Sequence, residues 1–348
     1  MGIELSMKVL CLVDGRVEPP DRWIWNYLPE HAQHNDAVDF MHTSSLDWFP
    51  KWGKLLTYYP AYWHLAIRVL RQTRKADYDL IVAWESKHGF PVAALRRLLG
   101  VSDPKLVILA FSFKGIGTYF QKLSRSVMRT ADHITVPSLG ERAYYSDLLD
   151  FPPDKITYCP LGWYDFFRHL RVPEEDVGDY IFAGGRSLRD YGTLFEAMSG
   201  IEGQLIVNAR KFNLRGVDCP PNVKTNDFMP IREYYRLMAG AQFVVLPLQD
   251  TPYAAGLLHI VQAMSAGKAL VVTRTASTVD YVEDGGTGIL VSPYDVEDMR
   301  SAIDYLLAHP QEAREMGRRA RQCYEETYTF AAFAERTYNV LKKVIASE

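Results

Sequence analysis

Short apolar runs that alternate with helical patterns are the feature that most constrains the fold of this chain. The runs contain three to six residues and recur along most of its length. They are KVLCLV at 8–13, LIVAW at 80–84, LVILA at 106–110, ITV at 134–136, YIFA at 180–183, LIV at 205–207, FVVL at 243–246, LVV at 270–272 and GILV at 288–291. Runs of this kind are typical of parallel strands whose two faces are covered by helices. The sequence therefore predicts an α/β protein.

The runs form two series, which a stretch rich in Pro, Asp and Gly separates at residues 153–179. A chain of 348 residues is long enough for two domains. We therefore expect two doubly wound, Rossmann-like domains, at 1–172 and 173–330, facing a central cleft. An amphipathic C-terminal helix at 331–348 is expected to pack back towards the first domain. Ligands of such sheets bind beyond the carboxyl ends of the strands.

Charge and cysteine usage narrow the class of partner. The net charge is −3, but residues 1–172 are basic on balance and the remainder is acidic. An acidic chain disfavours nucleic acid as a partner. The four cysteines form no Cys-x-x-Cys pair, so neither a zinc site nor a disulfide framework is indicated, which fits a cytoplasmic protein. Because the sequence has no apolar run of about 18 residues and no apolar leader, we expect no spanning helix and no secretory signal.

The second series carries two turns suited to anions. In the first, Gly184 and Gly185 follow a strand and Arg186 and Arg189 follow them. Glycine permits close approach of the backbone to a ligand, and guanidinium groups suit a diphosphate. A Gly-Gly pair is weak evidence, however, and a plain strand-to-helix turn with solvated arginines remains open.

The second turn lies in the stretch PYAAGLLHIVQAM at 252–264. Ala255, Gly256, Leu257 and Leu258 stand at a predicted helix start, where free N–H groups and the helix dipole attract phosphate. Two such turns in one half of the chain favour a diphosphate. A further turn at Phe228-Met229-Pro230 could hold a flat base by backbone hydrogen bonds, or could simply connect two elements.

Together these motifs resemble family 4 of the retaining, nucleotide-sugar-dependent glycosyltransferases. The resemblance covers about 160 residues and also rests on REYY at 232–235, QAM at 262–264, GK at 267–268 and TASTVDYVEDGGTGILVSPYDVEDM at 275–299. It implies a GT-B arrangement, in which the second domain holds a UDP- or GDP-sugar and the first holds the acceptor. The donor contacts that it implies are Gly15, Gly185, Arg186, Arg189, Met229, Ala255, Gly256, Leu257, Leu258 and Gln262.

The chain departs from the family pattern at two places. The family usually has a lysine five residues after the arginine at position 186, but this chain has Tyr191 there. We expect Arg189 to neutralise the diphosphate in place of that lysine. Family members commonly have two glutamates eight positions apart around the start of this helix, and this chain has Ala254 and Gln262 at those positions. The amide of Gln262 can still bind a ribose hydroxyl, whereas Ala254 offers nothing. In the mechanism usually proposed for the family, rate comes from positioning and charge stabilisation, so we expect an active enzyme without metal or cofactor.

The candidate residues of the first domain follow strands of the first series. Asp14, Arg16, Glu85 and Ser112 are candidates for the acceptor side, and Gly15 would let the backbone approach the transferred sugar. Asp14, Gly15 and Arg16 follow one strand, Glu85 and His88 follow another, and Ser112 follows a third. A histidine near neutrality suits a proton relay, so we expect His88 to act in catalysis with Arg186 and Arg189. The alternative is that these are ordinary loop residues.

Basic and aromatic residues are interleaved at 48–75, and a second basic stretch occupies 113–129. Six cations and no acid occur between residues 51 and 75. This composition is typical of attachment to an anionic membrane surface, although a helix with core aromatics and a solvated basic face would produce it too. We expect a protein on the cytoplasmic face of the membrane, with a glycan, lipid-linked or small-molecule acceptor. The competing functions are an inactive sugar-nucleotide-binding protein, an epimerase or a phosphorylase.

Overall fold

The computed structural model describes residues 6–14, 23–43, 54–113, 118–169, 178–227 and 229–347, without the side chains of 31, 54–59, 118–120 and 169. The chain divides into two units. The first comprises residues 1–160 and 333–348, and the second comprises residues 161–332. The last helix therefore begins in the second unit and ends in the first.

The first unit contains a six-stranded sheet whose described strand pairs are all parallel, in the order β2-β1-β3-β4-β5-β6. Its strands are β1 (Lys8–Val13), β2 (Ala37–His42), β3 (Leu80–Trp84), β4 (Lys105–Leu109), β5 (His133–Val136) and β6 (Ile156–Tyr158). Its helices are α1 (Glu30–Asn35), α2 (Lys54–Thr73), α3 (Glu85–Leu99), α4 (Thr118–Met128) and α5 (Leu139–Leu149).

The second unit repeats this architecture, with a parallel sheet in the order β12-β11-β10-β7-β8-β9. Its strands are β7 (Ile181–Gly184), β8 (Leu205–Asn208), β9 (Val223–Asn226), β10 (Val244–Leu246), β11 (Leu270–Thr273) and β12 (Gly288–Val291). Its helices are α6 (Tyr191–Met198), α7 (Ile231–Gly240), α8 (Leu257–Ser265), α9 (Val296–Ala308) and α10 (Pro310–Cys323), followed by a π-helical turn and by α11 (Phe330–Ala346).

Burial explains why the apolar runs became strands. Every residue of β3 except Trp84, and every residue of β11, is buried, because helices cover both faces of each sheet. Helix ends follow local chemistry. Ser138 accepts a hydrogen bond from the N–H of Glu141 at the start of α5, and Gly100 ends α3 in the left-handed conformation. The predicted α/β class with two Rossmann-like sheets is confirmed.

Three details differ from the sequence prediction. The stretch 153–179, expected to be a linker, contains β6, the edge strand of the first sheet, and the units meet in sequence after Pro160. Helix α3 begins at Glu85, so Glu85 and His88 lie in its first turn and not in a loop. Strand β2 was not predicted, because an edge strand exposed on one side has no continuous apolar run.

Candidate functional site

A cavity of about 370 Å³ opens in the second unit beyond the carboxyl ends of β7, β8 and β9. In parallel sheets this end is the one that binds ligands. Residues from four segments line it, namely Gly185, Arg186, Asn208, Ala209, Arg210, Asp227, Met229, Ile231, Tyr234 and Gln262. The lining contains two arginines and one aspartate, so its net charge favours an anion.

The turn after β7 is built around glycine. Gly185 has a φ of +111°, a conformation that L side chains rarely adopt. A Cβ at this position would lie 2.3 Å from Nη2 of Arg189, so the guanidinium occupies the space that a side chain would need. The exposed Arg186 follows in the cavity wall, and its carbonyl accepts a hydrogen bond from Nδ2 of Asn213 at 2.8 Å.

Arg189 lies beneath that turn. It is 8% exposed, and its Nε and Nη1 donate to the carbonyl oxygens of Gly184 (3.0 Å) and Ser187 (2.7 Å). No acid in the described segments is within ion-pair distance of it. Burial lowers the pKa of its guanidinium. A buried cation without a protein counter-charge is costly, and an anion at the Gly185 turn would offset part of that cost.

Tyr234 connects the cavity wall to a buried histidine. Its Oη lies 2.6 Å from Nδ1 of His259, and burial raises the pKa of the phenol even though Arg189 opposes this. His259 is 5% exposed and its Nε2 has no hydrogen-bond partner in the described chain. Burial, and then the charge of Arg189, lower its pKa to about 3. His259 is therefore neutral at physiological pH.

Helix α8 begins as the sequence predicts. Gly256 is its N-cap with a φ of +75°, and the first intrahelical bond runs from the N–H of Ile260 to the carbonyl of Gly256. The preceding helical N–H groups have no acceptor within the helix. Further along α8, Nε2 of Gln262 donates to Tyr235 Oη at 3.1 Å, which fixes the amide at the cavity wall.

Only some of the residues that were expected to bind the nucleotide-sugar donor line the cavity. Gly185, Arg186, Met229 and Gln262 line it. Arg189 is buried behind the turn, and the four residues 255–258 are absent from the lining. Sequence reasoning missed the residues that follow β8 and β9, as well as Tyr234 and His259. The available signal was the position of Asn208–Arg210 and Asp227 at or directly after the carboxyl ends of strands of a parallel sheet.

The first unit contains a separate charged cluster, which we call the Asp14 cluster, formed by Asp14, Tyr62, Glu85, Lys87 and His88. Lys87 Nζ lies 2.5 Å from Asp14 Oδ2 and 2.9 Å from Glu85 Oε2, and Tyr62 Oη donates to Asp14 Oδ1 at 2.9 Å. His88 Nδ1 donates to the Trp84 carbonyl, and its Nε2 faces Asp14 Oδ1 at 3.3 Å. Although partial burial opposes the shift, the adjacent side chains of His88 and Lys87 hold the pKa of Asp14 well below its usual range.

The remaining candidates of the first unit are less defined. The carbonyl of Ser112 accepts a hydrogen bond from Ser86 Oγ. Gly15 and Arg16 lie outside the described residues, as do parts of the two basic stretches, residues 48–53 and 114–117. Across the described segments, no three His, Cys, Asp or Glu side chains form a metal-binding group. No helix in those segments is long and apolar enough to cross a bilayer.

Comparison with known sequences gives a family for part of the second unit. Residues 217–323 match the family model of glycosyl transferases group 1. The MMP alpha-(1->4)-mannosyltransferase of Mycolicibacterium hassiacum is 30% identical over 125 residues, which are 36% of this chain and 30% of that protein. The D-rhamnosyltransferase WbpZ of Pseudomonas aeruginosa is 26% identical over 165 residues, 47% of this chain and 42% of that protein. The matched segments thus span less than half the length of these relatives.

Comparison with solved structures extends over nearly the whole chain. HepE of Anabaena in complex with UDP and glucose superposes with a TM-score of 0.70 at 15% identity, over 97% of this chain and 100% of that one. Sucrose-phosphate synthase of Thermosynechococcus elongatus superposes with a TM-score of 0.71 at 17% identity, over 99% and 100%. The chain therefore has the GT-B fold of two Rossmann-like domains, and its residues 217–323 match the glycosyl transferases group 1 family.

Proposed function

We propose that this protein is a glycosyltransferase that moves a sugar from a nucleotide-sugar donor to an acceptor hydroxyl. The observation that carries the proposal is the cavity beyond β7, β8 and β9, where Arg186 and Arg210 face the space that a donor would occupy. Three of the residues expected to bind the nucleotide, Gly185, Met229 and Gln262, line the same space. The match of residues 217–323 to glycosyl transferases group 1 supports the same reaction.

The diphosphate, the ribose and the base of the donor each have a candidate partner in this cavity or beneath its Gly185 turn. The exposed Arg186 would neutralise the diphosphate from the solvent side of the cavity, and the buried Arg189 would neutralise it from beneath the Gly185 turn. The amide of Gln262 would bind a ribose hydroxyl, and the backbone near Met229 would hold the base. With Ala254 in place of an acid, stabilisation of the departing diphosphate would come from the arginines and the start of α8. Retention of configuration and independence of metal ions are part of the proposal.

Nucleotide binding is the first test. Isothermal titration calorimetry with UDP and GDP, and a thermal-shift panel of UDP-, GDP- and ADP-sugars, would identify the donor. Arg186→Ala should weaken nucleotide binding by about 1.5–3 kcal/mol, the value of a charge-assisted hydrogen bond. Arg318→Ala is the matched control, because that arginine is 67% exposed on α10 and pairs only with Glu315 among the described residues. Equal affinities in the two variants would refute the assigned site.

Catalysis needs its own test, because a protein that binds a sugar nucleotide need not transfer the sugar. The expected result is release of free nucleotide from the donor, faster with an acceptor hydroxyl than with water alone. Binding without release would favour the alternative of an inactive sugar-nucleotide-binding protein. A UDP-sugar is the first donor to try, since HepE was solved with UDP and glucose, and a GDP-sugar is the second.

We also propose that the protein attaches to the cytoplasmic face of a membrane, where a lipid-linked glycan could serve as acceptor. Helix α2 supports this, because Trp63 and Ile67 are 40% and 41% exposed, while Arg71 and Arg74 near its C-terminal end are exposed as well. The protein should float with vesicles containing anionic lipid at low salt, and R71E/R74E should reduce this flotation. Absence of wild-type protein from the vesicle fraction at low salt would refute the attachment.

A further inference from the structure

A single carboxylate, that of Asp227, lines the cavity of the second unit beside its edge strand. The last residues of β7, β8 and β9 lie in register with one another. The residues that directly follow them, Gly185, Ala209 and Asp227, therefore form one row, and all three line the cavity. Neighbouring strands are about 4.8 Å apart, so the row extends roughly 10 Å from the Gly185 turn to Asp227.

One hydrogen bond fixes the carboxylate of Asp227. Its Oδ1 accepts from the backbone N–H of Lys211 at 3.1 Å, at the start of the short 3-10 helix that follows β8. Among the described residues, Oδ2 has no hydrogen-bond or ion-pair partner, and the side chain is exposed. A carboxylate has about four lone-pair sites, so Asp227 retains acceptor capacity for a ligand. Its orientation is set before a ligand arrives, which reduces the entropy lost on binding.

The two ends of this row suit the two ends of a nucleotide. In the proposed function, the diphosphate binds at the Gly185 turn and the base binds near Met229, which lines the cavity two residues after Asp227. The residue between them is Phe228, which lies outside the described residues and carries no charge. Because the ribose separates the base from the diphosphate, a base near Met229 meets the carboxylate of Asp227.

The hydrogen-bonding groups of the bases decide which of them a carboxylate prefers. Guanine presents its N1–H and its 2-amino group side by side, and the carboxylate can accept from both. Uracil presents one N–H between two carbonyl oxygens, which repel a carboxylate, and adenine presents an amino group beside a ring nitrogen that is itself an acceptor. Guanine also carries the acceptors O6 and N7, to which arginine donates. Arg210 lines the cavity together with Asp227, so both charged side chains match guanine.

We propose that Asp227 makes the cavity specific for guanine, so that the donor is a GDP-sugar. Its carboxylate accepts hydrogen bonds from N1–H and the 2-amino group, and Arg210 donates to the opposite side of the base. UDP binds more weakly, through its ribose and diphosphate alone. HepE was solved with UDP, but the charged side chains that line this cavity match guanine. This inference rests on the proposed function, because it concerns the base of the same nucleotide-sugar donor.

The test is isothermal titration calorimetry of the full chain with GDP, IDP, UDP and ADP. The base of IDP is hypoxanthine, which differs from guanine only by the missing 2-amino group. GDP should bind at least tenfold more tightly than UDP and ADP, and at least threefold more tightly than IDP. Equal affinities for GDP and UDP would overturn the inference.

Asp227→Asn separates base recognition from a structural role of this residue. The asparagine oxygen can still accept from the N–H of Lys211, but an NH2 donor replaces the second acceptor oxygen. Affinity for GDP should fall at least tenfold, the difference between GDP and IDP should disappear, and affinity for UDP should change less than twofold. Asp295→Asn is the matched control, because the exposed Asp295 likewise accepts from a backbone N–H, that of Asp298, and is absent from the cavity lining.

The outcomes distinguish failure of this inference from failure of the proposed function. A parallel loss of affinity for all four nucleotides in Asp227→Asn would show that the residue only supports the turn, and would overturn the specificity. Unchanged GDP affinity in that variant would overturn it as well. In either case the wild-type protein would still bind a nucleotide, and the proposed function would stand. Absence of binding of any of the four nucleotides to the wild type would overturn both.

Discussion

Replacing Gly185 by alanine should damage the donor site and the stability of the second unit together. The φ of +111° costs about 1–3 kcal/mol for a residue with a side chain. The new Cβ would lie 2.3 Å from Nη2 of Arg189 and displace the guanidinium. Arg189 would then lose its bonds to Gly184 and Ser187, each worth about 1.5–3 kcal/mol as a hydrogen bond to a charged group.

Because water can replace part of those bonds, we expect a total loss of about 3–6 kcal/mol in the free energy of unfolding. Gly285→Ala provides the control, because Gly285 has a φ of +72° but a Cβ there would have no neighbour within 4 Å. It should cost only the backbone strain of the left-handed conformation, about 1–2 kcal/mol.

Urea unfolding curves followed by far-UV circular dichroism would measure both variants, and calorimetry with UDP would measure the site. Gly185→Ala should lose at least tenfold in UDP affinity, whereas Gly285→Ala should retain it. Equal destabilisation of the two variants, with unchanged UDP binding in both, would show that Arg189 is not anchored by the glycine turn as described.

Three further outcomes are expected. Burial lowers the pKa of His259 to about 3 in the folded protein, against about 6.5 in the unfolded chain. Neutral His259 therefore contributes stability above pH 6.5, and this contribution is lost as the pH falls towards 3, at up to about 1.4 kcal/mol per pH unit. His259→Asn should flatten the dependence of the unfolding free energy on pH over that range, and an unchanged slope would contradict the assignment. If the amide of Gln262 binds the 2′-hydroxyl, Gln262→Ala should weaken UDP binding by about 0.5–1.5 kcal/mol and dUDP binding by less. Equal losses of affinity for the two nucleotides in calorimetry would reject that role. Tyr234→Phe should leave the fold intact by circular dichroism but lower UDP affinity several-fold, because His259 loses its partner at the cavity wall, and a wild-type affinity would remove Tyr234 from the site.

The sequence predicts nine of the described strands because at least half of the residues in each of them are buried, whereas the strands β2, β6 and β9 are mostly not buried. Burial of both faces requires continuous apolar runs, and such runs are visible in one sequence without any alignment. Strand β2 is not predicted in this way, because one side of it is exposed and carries the polar Asp39, which interrupts the apolar run. Strand β6 is not predicted either, because only its first residue, Ile156, is fully buried.

The candidate site is less visible in the sequence, because its parts depend on packing. The Gly184–Gly185 turn and the start of α8 were found from glycine positions, which report backbone conformation directly. By contrast, the packing of Arg189 against Gly185 depends on the guanidinium filling the space that a Cβ of residue 185 would occupy. The bond between Tyr234 and His259 joins residues 25 positions apart, and nothing in the local sequence predicts it.

The cavity of the second unit and the Asp14 cluster of the first unit differ in how their charges are compensated. In the second unit, Arg189 is buried without an acid among the described residues, so its counter-charge must come from solvent or from a ligand. In the first unit, Lys87 already satisfies both carboxylates, so the cluster gains nothing from a further ion. A bound nucleotide diphosphate should therefore stabilise the second unit, and this stabilisation should grow with the logarithm of the ratio of nucleotide concentration to dissociation constant.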